Sequence, residues 1–264
     1  MQIEDLRQIH DSYDHVYLSP HLDDAALSCG GAIARHSNDG ARVLVATICT
    51  AAPSAQEPLS SFAQQHHQMW GLAPGRAMAA RQREDLVALE RLDADAYHAG
   101  LLDAIYRLPA IYTNNDMLFG TPAPDDPLLY ATHQLIAALH GRMPHATFYI
   151  PLAIGNHVDH QIIHSAARDS AGIAMAFYED FPYVTWPGAL EQRMAALGQK
   201  FIASTINIDA TLARKISAID AYVSQLNSLF DDPSARAQII ADYADRLRPD
   251  IGTYGERLWI CDSQ

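Results

Sequence analysis

Short apolar segments alternate with longer amphipathic segments along most of this chain, and that alternation restricts the fold more than any other feature. The apolar segments are typical of strands and cover residues 16–19, 42–50, 95–99, 147–152, 174–178 and 258–261. The amphipathic segments are typical of helices and cover residues 25–35, 75–92, 126–140 and 157–170. Strands and helices in this order predict a mostly parallel sheet with helices on both faces, in the Rossmann-like α/β class.

The last third of the chain is less regular. Residues 206–209 resemble a short strand, and two further helices are predicted over residues 211–226 and 233–247. No linker rich in Gly or Ser divides the chain, and no internal repeat is visible. We therefore expect a single domain over residues 1–264 with an elaborated C-terminal third.

Gly30 and Gly31 lie inside the first predicted helix. They lack the GxGxxG spacing of a dinucleotide-binding turn. We therefore expect them to allow close packing of this helix on the sheet.

The first predicted strand is followed directly by residues that can bind a metal. His21, Asp23 and Asp24 come just after the strand and just before a helix. The carboxyl ends of strands in an open α/β sheet are where ligands bind. Two neighbouring carboxylates repel each other unless a cation lies between them. A polar cap on the following helix is the competing interpretation for Asp23 or Asp24.

A later predicted strand, at residues 146–152, ends in the same way. His157, Asp159, His160 and His164 follow it at the start of a helix. At spacings of three and four residues, the three histidines can share one helix face. An isolated histidine is more often a hydrogen-bonded structural residue than a ligand. Two strand ends that both carry His and Asp favour a shared site.

Together the two strand ends contain enough ligands for a catalytic metal. Catalytic zinc sites commonly use three protein ligands with N or O donors and leave a fourth position to water. His21, Asp24 and either His157 or His160 would provide such a set. These ligand types do not separate Zn²⁺ from another divalent metal such as Fe²⁺.

The motifs around these residues resemble those of the LmbE-like, PIG-L-type zinc-dependent N-deacetylases. The resemblance rests first on Ser19-Pro20-His21-Leu22-Asp23-Asp24 with Gly30-Gly31, and on His157-Val158-Asp159-His160. It extends to Arg81-Gln82-Arg83-Glu84-Asp85, Phe177-Tyr178-Glu179-Asp180-Phe181-Pro182-Tyr183 and Tyr254-Gly255-Glu256-Arg257-Leu258-Trp259. Leu22 replaces a proline often found in the family, and Ala25 replaces a glutamate. Neither change removes a group that the chemistry needs.

The resemblance implies one zinc ion per chain, held by His21, Asp24 and His160. It implies that Asp23 is the general base, which takes a proton from the water that the zinc activates. His157 would help to stabilise the oxyanion and could protonate the departing amine. Zinc lowers the pKa of its water to about 7, so a neighbouring carboxylate can accept that proton at neutral pH.

Asp159 and Arg81 are two further candidate site residues. Asp159 lies two residues after His157 and could orient a histidine ligand without touching the metal. Arg81 begins a helical motif and would either point towards the substrate or form an ion pair with Glu84 or Asp85. These two interpretations of Arg81 stay open at the level of the sequence.

Several segments that follow strands are expected to border the site. Segments 51–73 and 103–127 are long for loops of a compact domain, so we expect both to overhang the metal. Glu179 and Asp180 leave another strand at the same edge. An acid there would contact substrate or support a histidine ligand.

Composition excludes several classes of partner. A net charge of −13, with lysine only at Lys200 and Lys215, argues against nucleic acid and against a strongly anionic membrane. No apolar run approaches the roughly 18 residues of a transmembrane helix. Cys29, Cys49 and Cys261 have no CxxC spacing, so we expect no disulfide framework and a cytoplasmic location. A homo-oligomer stays open.

The sequence thus predicts a zinc-dependent hydrolase that removes an N-acetyl or other N-acyl group from an amino sugar or its conjugate. An amidase acting on a different N-acyl substrate would use the same centre. A non-catalytic Rossmann-like protein that binds a sugar or nucleotide is the alternative from another class. Such a protein has no need of His157 and His160 in addition to His21.

Overall fold

The computed structural model describes residues 1–9 and 12–262, and its strands form one eight-stranded sheet. The strands are β1 (Gln2–Ile3), β2 (His15–Ser19), β3 (Val43–Cys49), β4 (Asp95–Leu101), β5 (Thr147–Pro151), β6 (Ala174–Tyr178), β7 (Phe201–Asn207) and β8 (Gly255–Cys261). Their order across the sheet is β1-β4-β3-β2-β5-β6-β8-β7. Neighbours among β1 to β6 are parallel, whereas β8 is antiparallel to β6 and β7. The predicted α/β class with a mostly parallel sheet is confirmed.

Helices cover both faces of this sheet. They are α1 (Asp24–Asn38), α2 (Ser61–Met69), α3 (Pro74–Leu92), α4 (Ala104–Arg107), α5 (Asn115–Leu118), α6 (Pro127–Arg142), α7 (Val158–Arg168), α8 (Ala189–Leu197), α9 (Leu212–Ile219), α10 (Leu226–Leu229) and α11 (Arg236–Arg246). Short 3-10 turns lie at Leu6–Gln8, Tyr183–Thr185 and Pro233–Ala235. Within the described residues, no helix combines the length and the apolar character that crossing a membrane requires.

Strand β2 shows why the central strands read as uninterrupted apolar runs. Val16 and Leu18 belong to a core cluster that includes residues of α6 and α7, whereas Tyr17 belongs to a cluster with residues of α1, α3 and α9. Successive side chains of a strand point to opposite faces of the sheet. A strand covered by helices on both faces is therefore mainly apolar on both of its faces.

The position of β2 beside β5 determines where the site lies. β2 pairs in parallel with β3 on one side and with β5 on the other. The chain therefore runs outward from β2 in one direction and later returns on its other side. Such a reversal leaves a crevice at the carboxyl ends of the two strands, where ligands bind in open α/β sheets. His21 follows β2 and His157 follows β5, so both histidines reach this crevice.

The C-terminal third differs from the predictions in its boundaries. The strand predicted at residues 206–209 is the end of a longer strand, β7, which begins at Phe201. The helix predicted over residues 211–226 ends at Ile219, and the separate short helix α10 follows it. β7 lies at the edge of the sheet and has several exposed residues, so it lacks the apolar run of the central strands.

Gly30 and Gly31 allow a close approach, but not to the sheet. A Cβ on Gly31 would lie 2.8 Å from the side chain of Ile208, and one on Gly30 would lie 3.0 Å from that of Lys215. The expectation that these glycines pack α1 on the sheet is therefore wrong. They allow Ile208 and Lys215 of the C-terminal third to pack closely against α1.

Candidate metal centre and active site

The crevice between β2 and β5 brings together three histidines from the two strand ends. Ring nitrogens of His21, His157 and His160 lie within 4.8 Å of one another. All three side chains are buried. His21 lies in the loop after β2, whereas His157 caps α7 and His160 lies in its first turn. The two motifs found in the sequence therefore meet at one place.

The Asp24 carboxylate lies between two of these histidines. Its Oδ2 atom is 3.1 Å from Nδ1 of His21 and 3.3 Å from Nε2 of His160. The backbone N–H of His21 also donates to this oxygen, at 2.8 Å. Two imidazole nitrogens and one carboxylate oxygen thus face a common position, which is a ligand set of the kind found in catalytic zinc sites.

Each of these two histidines is oriented by another carboxylate. Nε2 of His21 is 3.0 Å from Oδ2 of Asp159, and Nδ1 of His160 is 2.7 Å from Oδ1 of Asp180. The ring proton is assigned to Nε2 of His21, which faces Asp159, and to Nδ1 of His160, which faces Asp180. In the neutral form, Nδ1 of His21 and Nε2 of His160 each keep a free lone pair. Histidines that bind metals are usually held in this way. The expected orienting role of Asp159, and of an acid after β6, fits this geometry.

The donor set fits a divalent metal. Nε2 of His160 is buried, and it has no hydrogen-bond partner among residues 1–9 and 12–262. A buried polar atom left in this state costs free energy unless something binds it. A divalent metal facing His21, Asp24 and His160 would bind this nitrogen.

The carboxylates at this site favour a bound positive charge. Burial lowers the pKa of His160, but Asp24 and Asp180 outweigh it and raise that pKa to about 9. Burial also lowers the pKa of His21, yet Asp103 and further carboxylates raise it well above its ordinary value. Without a metal, the surrounding carboxylates therefore favour the positively charged imidazolium form of both rings. A bound cation replaces this positive charge, so metal binding releases protons.

Asp23 lies beside this site in a strained backbone conformation. It is the N-cap residue of α1 with a φ of 147°, and its side chain makes no cap hydrogen bond. Strained residues of this kind concentrate at functional sites. Burial and the neighbouring Asp24 raise the pKa of the Asp23 carboxyl to about 7. The alternative that the Asp23 side chain caps the helix is wrong, and the carboxyl can exchange a proton near neutral pH.

His157 is held as a neutral hydrogen-bond donor. Its Nδ1 accepts the backbone N–H of Asp159 at 3.2 Å, so the proton of the neutral ring is assigned to Nε2. Burial and the nearby His21 keep the pKa of His157 well below its ordinary value. Protonation of Nδ1 would also oppose the helix cap. His157 therefore suits a neutral donor better than a metal ligand or an imidazolium.

His164, the third histidine of the predicted helix face, does not join the other two. Its Nδ1 pairs with the backbone oxygen of Pro151 at 2.9 Å, and its ring packs near Phe177 in the core. Its position one turn further along α7 places it beneath the crevice rather than in it.

Arg81 points towards the site. Its guanidinium stacks on the Trp70 ring at 4.7 Å, and its Nη2 atom lies 3.6 Å from Oδ2 of Asp23. The ion pair proposed with Glu84 or Asp85 is not formed. Instead, these two acids bind residues of the C-terminal third, through hydrogen bonds from Ser224 and Tyr222 respectively.

A buried arginine that the sequence analysis missed supports the metal centre from behind. Arg107 donates to Oδ1 of Asp159 at 2.6 Å and to both carboxylate oxygens of Asp126 at 2.6 and 2.8 Å. Tyr112 donates to the same Asp126 at 2.8 Å. The order Asp126, Arg107, Asp159, His21 thus connects segment 103–127 to a histidine of the centre. No spacing in the sequence indicates this network, because its members meet only in the folded chain.

A cavity of about 810 Å³ lies over the metal centre. We call His21, Asp23, Asp24 and His157 its floor. Its wall consists of the lining residues of segments 66–70, 115–119, 182–186 and 225–229. The prediction that segments 51–73 and 103–127 reach the site is confirmed. Both segments contain helices (α2 in the first, α4 and α5 in the second) and are therefore not simple loops.

The family model of the PIG-L proteins, described as GlcNAc-PI de-N-acetylase, matches residues 16–171 of this chain. A 2'-N-acetylparomamine deacetylase from Streptomyces fradiae is 26% identical over 215 residues, which cover 79% of this chain and 72% of that protein. A 2'-N-acetylparomamine deacetylase from Niallia circulans is 27% identical over 184 residues, covering 64% of this chain and 66% of that protein.

Solved structures of two deacetylases resemble this chain over nearly its whole length. Teicoplanin deacetylase Orf2, solved in a zinc-inhibited form, has a TM-score of 0.79 at 30% identity and covers 94% of this chain and 99% of its own. The A40926 pseudoaglycone deacetylase Dbv21 has a TM-score of 0.75 at 29% identity and covers 96% of this chain and 100% of its own. The family match spans more than half of the described chain and includes both histidine motifs. The chain therefore belongs to the PIG-L, LmbE-like family and is an N-deacetylase.

Proposed function

We propose that this protein removes the acetyl group from an N-acetylated amino sugar or amino-sugar conjugate and depends on one divalent metal ion. The observation that carries the proposal is the convergence of His21, Asp24 and the unpartnered Nε2 of His160 beside the buried carboxyl of Asp23. The activities named for the family and for a relative, on GlcNAc-PI and on 2'-N-acetylparomamine, support this substrate class.

The metal ligands we propose are His21, Asp24 and His160. When bound, the metal would supply Lewis-acid chemistry, which polarises the amide carbonyl and activates water. Zn²⁺ is our first choice, and Fe²⁺ is the alternative because N and O ligands accept both. His157 is the weaker candidate for the third ligand, since its Nδ1 accepts a backbone N–H and its Nε2 carries the proton.

Asp23 is the general base in this proposal. Its carboxylate takes a proton from the attacking water and returns it to the amide nitrogen as the C–N bond breaks, so acetate and a free amine leave. Burial holds the pKa of this carboxyl above its ordinary value, which suits a group that must both accept and return a proton near neutral pH. Arg81 lines the same cavity and is proposed to contact the substrate beside Asp23.

His157 stabilises the oxyanion in this proposal. Attack on the carbonyl carbon places negative charge on the carbonyl oxygen, and the Nε2–H group of a neutral His157 can donate to it. A second role, protonation of the departing amine, would require the imidazolium, which burial disfavours. Asp23 is therefore the better proton donor to the amine.

The experiment that tests the proposal is a screen for released acetate. Protein treated with a chelator is reloaded with Zn²⁺, Fe²⁺ or Co²⁺ and incubated with N-acetylglucosamine, its glycosides, an N-acetylated aminoglycoside and N-acetyl amino acids. We expect acetate from an amino-sugar substrate, and only with metal-loaded protein. Acetate from the N-acetyl amino acids alone would indicate an amidase of different specificity. Sugar binding without acetate from any loaded form would indicate a binding protein.

A further inference from the structure

A row of aromatic rings leads away from His157 along one side of the cavity. The Phe119 ring is 5.3 Å from the His157 ring, and Tyr183 is 5.7 Å from Phe119, measured between ring centroids. Trp186 follows at 5.1 Å from Tyr183 and 6.2 Å from Phe119. We call Phe119, Tyr183 and Trp186 the aromatic row. All three belong to the cavity wall.

The outer end of the aromatic row is exposed, although its residues are large and apolar. His157 is buried at the inner end, whereas Trp186 is 48% exposed at the outer end. Met69, in another part of the same wall, is 53% exposed. Large apolar side chains that stay exposed where they line a ligand cavity mark a surface that binds something apolar.

The backbone that carries the aromatic row is held in place before any ligand binds. Gly155 provides the space for Tyr183, because a Cβ on Gly155 would lie 2.7 Å from the Cβ of Tyr183. The backbone N–H of Trp186 donates to the oxygen of Tyr183 at 3.0 Å, and that of Phe119 donates to Asn115 at 2.8 Å. A surface fixed in this way loses little conformational entropy when it binds a ligand.

Polar partners for a sugar lie elsewhere in the cavity. The floor presents carboxylates and imidazoles, Arg81 lies beside Asp23, and Gln225, Asn227 and Ser228 line another part of the wall. A sugar ring over the floor can find hydrogen-bond partners in these groups. The rings of Phe119 and Trp186 offer mainly apolar faces and edges, so they suit a substituent without hydroxyl groups.

We infer that the amino sugar is carried on an apolar, aromatic aglycone, which binds along the aromatic row while the sugar lies over the floor. This inference rests on the proposed function, because it assumes that the N-acyl amino sugar occupies the floor. Trp186 at the rim is the main contact of the aglycone. Aromatic contacts and the burial of apolar area both strengthen binding, so the aglycone increases affinity by about tenfold.

The experiment compares three reaction products that differ only in the group attached to the amino sugar. These are the 2-naphthyl β-glycoside of glucosamine, its methyl β-glycoside, and the disaccharide in which a second glucosamine replaces the naphthyl group. Dissociation constants are measured by calorimetry with metal-loaded wild type, Trp186→Ala and Trp186→Tyr. Ile202→Ala is the matched control, because Ile202 is 55% exposed on β7 and does not line the cavity.

We expect the naphthyl glycoside to bind wild type about tenfold more tightly than the methyl glycoside. This ratio should fall towards one in Trp186→Ala, fall less in Trp186→Tyr and stay unchanged in Ile202→Ala. Equal affinities of wild type for the naphthyl and methyl glycosides would overturn the inference. The inference would also be overturned if the disaccharide bound wild type as tightly as the naphthyl glycoside and bound Trp186→Ala no more tightly than the methyl glycoside. The aromatic row would then bind a second sugar.

Acetate release from the N-acetylated forms of the same compounds separates this inference from the proposed function. Acetate from both glycosides with equal kcat/KM would overturn the aglycone inference and leave the deacetylase proposal standing. A naphthyl preference in binding, with no acetate from either glycoside, would overturn amino-sugar deacetylation and support an apolar role for the aromatic row.

Discussion

The floor and the wall of the cavity are built in different ways. The floor residues follow β2 and β5 within a few positions, and His21 is held from behind by the buried Asp159. The wall comes from four separate segments of short helices and turns, and it includes half-exposed side chains such as Met69 and Trp186. The floor is attached to the central strands of the sheet, whereas the wall is assembled around it.

This difference separates the chemistry from the choice of substrate. A site on strand ends, whose proposed ligands are fixed by further hydrogen bonds, keeps its geometry whatever the wall binds. The family model matches residues 16–171, which include the whole floor but end before Tyr183, Trp186 and Gln225. A wall that lies partly outside the shared region can differ between relatives, and those matched here are named for substrates as different as 2'-N-acetylparomamine and teicoplanin. Floor substitutions should therefore change metal content or kcat, and wall substitutions should change KM.

The largest effect is expected from Asp24→Ala. This change removes a carboxylate that lies close to both His21 and His160. We expect less than one tenth of a metal ion per chain, measured by elemental analysis, and no acetate release above background. This loss corresponds to about 1.4 kcal/mol or more of binding free energy when the metal concentration is near Kd. Asp116→Ala is the control, because Asp116 is an exposed carboxylate of the wall. A full complement of metal in Asp24→Ala would mean that His157 is the third ligand.

Asp23→Asn should separate the base from the ligands. The amide has the shape of the carboxylate but cannot accept the proton of water, so kcat should fall by about 10²–10⁴-fold. Metal content should stay at the wild-type level, as elemental analysis of the same preparation will show. An empty site in this variant would reverse the roles of Asp23 and Asp24. Unchanged kcat would remove Asp23 from the reaction.

His157→Asn should lower kcat by about 10²-fold, the usual effect of removing one oxyanion donor. Asparagine is chosen because it can still cap α7, so the loss of the imidazole is not confused with a loss of the helix cap. Metal content should be retained, whereas His160→Ala should lose the metal. The opposite metal contents in these two variants would place His157, rather than His160, among the ligands.

Arg107→Lys tests whether the hydrogen bond from Arg107 to Asp159, which holds His21, affects metal binding at the floor. Lysine keeps the charge but cannot bind Asp159 and Asp126 at the same time with a planar fork. Asp159 would then hold His21 less firmly, and we expect metal affinity to fall by about 10–100-fold. Competition with a chromophoric chelator measures this constant without any turnover. Arg35→Lys, at an exposed ion pair with Asp39, should leave it unchanged, and an unchanged constant in Arg107→Lys would disconnect the network from the metal.

The floor could be predicted from the sequence because its residues are neighbours of strands. A buried strand between two helical layers reads as an apolar run, and the polar residues that follow such a run must lie at the carboxyl edge of the sheet. The sheet order, with β2 beside β5, then brings His21 and His157 together. The tautomer of His157 required the structure, since it depends on one backbone N–H of α7.

The wall and its supports could not be predicted in the same way. Arg107 and Asp126 lie in a segment rich in proline and acids, and their pairing with Asp159 depends on how that segment crosses the sheet edge. Trp186 follows a 3-10 turn, which has no periodic pattern to mark it. The edge strand β7 and the short helix α10 bury too little apolar surface to give clear boundaries.

The smallest effect is expected from Ser224→Ala, which loosens one part of the wall and leaves the floor intact. Oε1 of Glu84 accepts the backbone N–H of Ser224 at 2.9 Å, and Oε2 accepts its hydroxyl at 2.6 Å. Gln225 and Asn227, which line the cavity, follow directly. The variant loses the hydroxyl bond to Glu84 and the bond that the hydroxyl accepts from Nε2 of Gln225 at 2.8 Å. It keeps the backbone bond, so the segment stays anchored but moves more freely.

A hydrogen bond to a charged group contributes about 1.5–3 kcal/mol to stability. Its loss should weaken substrate binding by less than this, because Ser224 acts on the substrate only through the neighbouring residues that line the cavity. We therefore expect KM for the best substrate of the acetate screen to rise by about two- to tenfold, with kcat and metal content unchanged. Ser234→Ala is the matched control, because its hydroxyl binds Asp232 in an exposed turn. A fall in kcat at unchanged KM would mean that this part of the wall takes part in the chemical step, and the separation of floor and wall would fail.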